Sequence, residues 1–136
     1  MKIVLDTNVF ISGLFFPKSN AGIILNSCIE GKFSLCLSDE LLSEIEKVLF
    51  YPKIRKRLKL SQLEIENYCS LLRFQFEIFN IKNIKANVIK DKNDNHILAT
   101  FIASNADFLI TGDDDLLSMS DEYRIVSLSE FVKKYF

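Results

Sequence analysis

The sequence predicts an α/β fold: a three-layer α/β/α sandwich with a mostly parallel central sheet of four to five strands. Three observations carry that prediction. Short, unbroken apolar runs at Ile3–Leu5 and Phe108–Ile110 fit central strands covered on both faces, because a strand with one wet face would alternate. Longer stretches of helical apolar period lie between such runs. Strands and helices then alternate along the chain, the pattern of parallel crossover units. The chain has 136 residues, which suits one core. Two Pro and four Gly mark no linker, so residues 1–136 are expected to form a single domain.

The elements follow in order. Lys2–Leu5 is a strand, and Val9–Phe16 a helix ending near Pro17. Asn20–Glu30 is a helix stopped by Gly31, a residue suited to a left-handed helix end. Phe33–Leu37 is the second strand. Ser38 is a good N-cap, and Asp39 and Glu40 follow it where the helix dipole favours anions. That helix reaches about Phe50, where Pro52 should stop it. Ser61-Gln-Leu-Glu64 is a capping box opening a helix to about Phe76. Glu77–Asn80 and Ala86–Ile89 read as short extended segments, Asn93–Asn105 as a helix and Phe108–Ile110 as a strand. Arg124–Ser127 is the last strand, and Ser127-Leu-Ser-Glu130 caps a terminal helix.

Composition narrows the function. Hydrophobic residues at 49% and charged residues at 26% give a normal globular balance. A net charge of −1 excludes nucleic-acid binding through a global basic field, so any such binding needs a local patch or bound cations. Cys28, Cys36 and Cys69 have no metal-ligand spacing, and an odd number closes no disulfide framework. They should be reduced, buried and inert. The N-terminal apolar run is too short for a leader or a membrane span, so a cytoplasmic location is expected.

The acids sit where a parallel α/β sheet builds sites, just beyond the carboxyl ends of strands. Asp6 follows the first strand. Asp113 follows Phe108–Ile110, with Asp114 and Asp115 behind it. On a wheel of about 100° per residue, Ile97, Leu98, Phe101 and Ile102 fall within about 80° of Asp94. Asp94 therefore shares the inward side of its helix, which is costly for a carboxylate unless it is paired or metal-bound. His96 falls on the opposite face and should be solvated. Leu41, Leu42, Ile45, Val48 and Leu49 form the apolar arc of the third helix. Glu44 lies at its edge, able to reach a cleft, and Glu46 at the other edge as a surface charge. Each acid alone has an ordinary alternative as a cap or loop residue. Convergence of Asp6, Asp94 and Asp113 on one sheet edge is what argues for a shared site.

The residues also resemble a known family. Leu5-Asp6-Thr7-Asn8-Val9 with Ser12, Ser38-x5-Glu44 with Val48-Leu49, Asp91-x2-Asp94-Asn95, and Ala106-Asp107-Phe108-Leu109-Ile110-Thr111-Gly112-Asp113-x-Asp115-Leu116 resemble the PIN domain. In particular they resemble the toxins of bacterial and archaeal toxin–antitoxin pairs, the VapC-like ribonucleases. The resemblance spans essentially the whole chain. It implies an α/β/α fold and Mg²⁺- or Mn²⁺-dependent cleavage of single-stranded RNA. It maps the catalytic acids onto Asp6, Glu44, Asp94 and Asp113, with Asp115 as a fifth candidate ligand. Asn8 and Thr111 match supporting positions, and Asp91 a supporting acid. An antitoxin partner and a homo-oligomer are implied as well.

Chemistry agrees with the resemblance. Carboxylates without Cys or His favour hard cations. Crowded acids repel unless a cation joins them. Two ions about 4 Å apart would activate a water and stabilise the leaving 3′-oxygen of an in-line attack, with Asp6 nearest both. That route leaves 5′-phosphate and 3′-hydroxyl ends and needs no 2′-hydroxyl. Lys53, Arg55, Lys56, Arg57 and Lys59 form a basic stretch able to hold a nucleic-acid backbone, or simply a solvated helix face. Phe15 and Phe16 either stack bases or pack the core. Among rival readings, a phosphoacceptor receiver domain needs a Lys near the last strand, and none stands clearly after Ile110. A haloacid-dehalogenase-type phosphatase needs a second acid where Asn8 stands. A non-catalytic PIN-like binding module has no use for a full acid set.

The helix after Ser61 carries two apolar stripes, one of Leu63, Leu71 and Phe74 and one of Ile65, Tyr68, Leu72 and Phe76. A helix packed only on its own sheet needs one. One stripe is therefore expected to be a subunit or antitoxin interface, with Leu72 and Phe76 the positions to probe. The alternative is a helix lying between two others of its own domain.

Overall fold

A computed structural model describes residues 1–86 and 94–136 of the chain. Its strands are β1 (Lys2–Leu5), β2 (Ser34–Leu37), β3 (Glu77–Ile78), β4 (Phe108–Thr111) and β5 (Ile125–Ser127). They form one sheet ordered β3-β2-β1-β4-β5, with every pairing parallel. The helices are α1 (Thr7–Phe15), α2 (Asn20–Ile29), α3 (Asp39–Leu49), α4 (Pro52–Leu58), α5 (Gln62–Gln75), α6 (Asn95–Ser104), α7 (Asp114–Leu117) and α8 (Leu128–Tyr135). Ile3, Val4 and Leu5 are successive and all fully buried. Successive strand residues face opposite sides of a sheet, so both faces are covered and the three-layer expectation holds.

From β1 the chain moves outward through β2 to β3, then returns to set β4 and β5 on the other side of β1. The reversal falls between β1 and β4, and in parallel sheets the crevice at that point takes the ligand. The register pairs Leu5 with Ile110. It therefore brings the residues after β1 and those at the end of β4 to one edge.

Ser19, Ser38, Ser61 and Ser127 each cap the helix that follows. Each hydroxyl accepts an N–H that the helix start would otherwise leave unsatisfied. Gly31, at φ 85°, supplies the left-handed residue after α2. Three local expectations need correction. α1 begins at Thr7 rather than Val9, because Asp6 itself is its N-cap. Pro52 does not merely end α3. It opens α4, where the missing N–H of Pro costs nothing at a first helical position. The acidic run after Gly112 contains the short helix α7. The expected segment Ala86–Ile89 lies almost wholly outside the described residues.

α5 also differs from expectation in which stripe is buried. Ile65, Cys69 and Leu72 are buried, with Tyr68 and Phe76 packed against the core. Leu63, Leu71 and Phe74 are exposed by 64%, 63% and 90%. Leu72 and Phe76 are therefore core positions, and the uncovered stripe is the other one. The cysteines are free and buried. Burial pushes the Cys28 thiol up to about 12 and that of Cys69 up to about 11, so both stay protonated and unreactive at neutral pH. Among the described residues, no helix is long and apolar enough to cross a membrane.

Candidate metal centre

Asp6 continues the β1 ladder by one bond, its N–H donating to the Ile110 carbonyl at 3.4 Å. Its side chain is 3% exposed and bonded at both oxygens. Oδ1 accepts from the Val9 N–H at 3.0 Å, and Oδ2 accepts from the Thr111 hydroxyl. Burial raises the Asp6 pKa above its ordinary 3.8 and outweighs those bonds, which pull it down; the charge of Asp113 raises it further. A buried, repelled carboxylate is strained electrostatically until a cation or a proton reaches it.

Thr111 couples the two strand ends. It donates to Asp6, and its oxygen accepts from the Asp113 N–H at 2.9 Å. Asp113 in turn caps α7, with the Asp115 N–H donating to Asp113 Oδ1 at 3.0 Å. Asp94 sits at the N-cap of α6. One carboxylate oxygen each from Asp94, Asp113 and Asp115 lies within 4.8 Å of the others, and all three residues are half-buried. A cleft of about 640 Å³ opens beside them, lined by Asp6, Asn8, Ser12, Asp113, Asp114 and Asp115 among others. Asp115, the fifth candidate ligand of the sequence reading, thus stands inside this acid group. Asp91 lies outside the described residues.

Glu44 is anchored differently. Its Oε2 accepts from the Thr7 hydroxyl and lies 2.8 Å from His96 Nε2. This corrects the reading of His96 as solvated: its side chain is only 21% exposed. The helical wheel placed His96 opposite the sheet-facing side of α6, but the side chain meets Glu44 of α3. α6 packs against both the sheet and α3, so a side chain turned from the strands can meet α3 rather than water. Ser38 and Thr100 lock that contact. The Ser38 and Thr100 hydroxyls are 2.7 Å apart, and Thr100 donates to the His96 carbonyl at 2.7 Å.

The basic stretch lies on and just after α4, and none of its residues lines the acid cleft. Arg55 is turned to structural use, with Nε donating to the Leu60 carbonyl at 3.2 Å and the guanidinium 5.9 Å from the Phe50 ring centre. Arg57 lies 4.7 Å from the Phe15 ring centre and 5.8 Å from that of Phe16. Lys53, Lys56 and Lys59 are exposed. Phe15 is half-buried and Phe16 is exposed, so the pair divides between packing and surface.

The residues fit a divalent cation. Three oxygens of one charge at mutual distances under 4.8 Å form a hard donor set suited to Mg²⁺ or Mn²⁺, with the strained Asp6 carboxylate near Asp113. Asp94, Asp113 and Asp115 would hold it, joined by Asp6.

An all-parallel α/β sandwich with carboxylates crowded at its switch point defines a class of acidic-site domains. Comparison with known proteins gives the family: the family model described as PIN domain matches residues 2–115, and the chain belongs to that family. It is 35% identical over 129 residues to the Methanocaldococcus jannaschii protein MJ1680, covering 95% of this chain and 81% of that one. Its fold is similar to a chain in the crystal structure of VapBC2 from Rickettsia felis bound to a DNA fragment from their promoter. The TM-score is 0.62 and the identity 15%, with coverage of 93% of this chain and 98% of the other.

Proposed function

We propose that this protein is a divalent-metal-dependent endoribonuclease that cleaves single-stranded RNA, acting in the cytoplasm as the toxin of a toxin–antitoxin pair. The observation that carries the reading is the Asp94, Asp113 and Asp115 group set beside the buried Asp6 at the β1–β4 switch point. PIN-family membership and the likeness to a VapBC2 chain support it.

When bound, Mg²⁺ or Mn²⁺, in our reading a pair of ions, supplies a water activated at neutral pH and charge stabilisation for the leaving oxygen. The chain's own residues do the rest. Asp6, Asp94, Asp113 and Asp115 bind the cations, and the hydrogen bonds that hold the Asp6 and Asp113 carboxylates keep those two ready before substrate arrives. Thr111 holds Asp6 and the Asp113 backbone in one register. Glu44 orients the attacking water through its carboxylate. Asn8, exposed at the rim of the cleft, is placed to donate to a phosphate oxygen. Lys53, Lys56 and Arg57 offer charge to the strand beyond the acid group, while Arg55 serves the fold.

The test is cleavage of 5′-labelled single-stranded RNA and of the matching DNA, with Mn²⁺, with Mg²⁺ and with EDTA. Metal-dependent RNA cleavage leaving 3′-hydroxyl ends is expected, together with a loss of about 10²-fold or more in Asp113→Asn. Cleavage that persists in EDTA, or an Asp113→Asn protein as active as the parent, overturns the reading.

We also assign the homo-oligomer contact to the stripe of Leu63, Leu71 and Phe74 on α5. Three large apolar side chains aligned on one exposed face are a feature that association removes from water. Leu71→Glu with Phe74→Glu is expected to give a folded monomer by light scattering and circular dichroism, because neither side chain belongs to the core. An oligomer of unchanged mass would reject this assignment.

A further inference from the structure

We infer that His96 is a positioning residue for Glu44: with Thr7 it holds the Oε2 oxygen, so that the carboxylate presents Oε1 alone to whatever the site binds. The inference rests on the nuclease reading for its consequence, but not for its geometry.

Oε2 has two partners, the Thr7 hydroxyl and His96 Nε2 at 2.8 Å. A carboxylate only accepts, so Nε2 carries the hydrogen. Those partners come from the two segments that flank the acids. Thr7 directly follows Asp6, and His96 stands two residues beyond Asp94. Glu44 is thereby tied to both neighbours of the site although it comes from the middle of α3. Among the described residues the buried Nδ1 of His96 has no hydrogen-bond partner, so the contact with Glu44 orients the ring and favours the Nε2–H tautomer. The backbone beneath it is held by the Ser38–Thr100–His96 carbonyl chain. A carboxylate gripped on one oxygen cannot chelate with both. Glu44 then suits a single contact, direct or through one water, rather than a bidentate one.

Two measurements test this. His96 is the sole histidine, so the imidazole ¹H–¹⁵N correlation spectrum shows one ring. The Nε2–H tautomer pattern is expected in the parent protein, and a shift toward a mixed pattern in Glu44→Ala. Separately, Mg²⁺ affinity by calorimetry and kcat on RNA are measured for His96→Ala, His96→Gln, Glu44→Ala and the double variant. His96→Ala is expected to lose about 10- to 100-fold in affinity or kcat. His96→Gln, whose amide N–H can reach Oε2, should recover most of that loss. In the Glu44→Ala background His96→Ala should cost nothing more. A ring spectrum indifferent to Glu44→Ala, or an undiminished His96 effect in that background, overturns the inference. If the parent protein cleaves no RNA, the nuclease reading fails while the spectrum still judges the His96–Glu44 contact.

Discussion

Asp6→Asn is expected to cut RNA cleavage by about 10³-fold or more, the scale lost when one member of a catalytic unit is removed, and to raise the melting temperature of the metal-free protein at neutral pH. The two effects share a cause. Burial, aided by Asp113, raises the Asp6 pKa in the folded state above 3.8. A carboxyl raised in this way binds its proton more tightly folded than unfolded. Its stabilising contribution is complete below pH 3.8 and is lost as pH rises through the folded value. Above that value the charge on Asp6 therefore works against the fold. Asn removes the charge and keeps the bond from Val9 to Oδ1, while the Thr111 hydroxyl loses its acceptor at Oδ2, a smaller cost than the buried charge. Melts of both proteins in EDTA, from neutral to strongly acidic pH, check the argument. The variant should be the more stable at pH 7, and the difference should close in acid. A variant less stable at pH 7, or one cleaving RNA like the parent, refutes it.

Mn²⁺ should raise the melting temperature of the parent protein by about 10 °C at a hundred times its dissociation constant. Binding only to the folded state contributes about 2.7 kcal/mol at that ratio, and a chain of this length shifts by roughly 3–5 °C per kcal/mol. The ion relieves the repulsion among Asp94, Asp113 and Asp115 as well as the strain at Asp6. Sodium chloride at matched ionic strength screens surface charges equally and should produce only a small part of the shift. Differential scanning fluorimetry across a Mn²⁺ series reads the effect, and Asp6→Asn should show a much smaller one. A flat series to millimolar Mn²⁺ would mean that the acids do not share a cation.

Much of this was legible from local chemistry. β1 is found as expected, since three consecutive apolar residues fit only a doubly covered strand. Ser38, Ser61 and Ser127 cap as their spacing predicts, because a cap is a contact within four residues. The shared sheet edge of Asp6 and Asp113 followed from their places just beyond two strands of a parallel sheet, whereas its being a switch point came only with the strand order. What escaped the sequence depended on neighbours remote in the chain. Asp6 as a helix cap moved α1 by two residues. His96 looked solvated because a wheel has one inside and one outside, whereas α6 has the sheet on one side and α3 on another. The two stripes of α5 were correctly seen, but which of them meets the core depends on how α5 lies against α3. Pro52 is compatible with both the end of one helix and the start of the next, and here it serves the second.

The sheet's margins bear on how copies of the chain meet. β3 is two residues long and β5 three. Short outer strands offer little backbone onto which another chain could zip. Growth by adding strands, the route to fibres, is therefore disfavoured at both ends of the sheet. Where one helical stripe meets the same stripe of a second copy, the contact is self-complementary and ends at a closed pair rather than an open array. If copies meet through the Leu63, Leu71 and Phe74 stripe as proposed, the expected product is a closed pair of finite size even at high concentration.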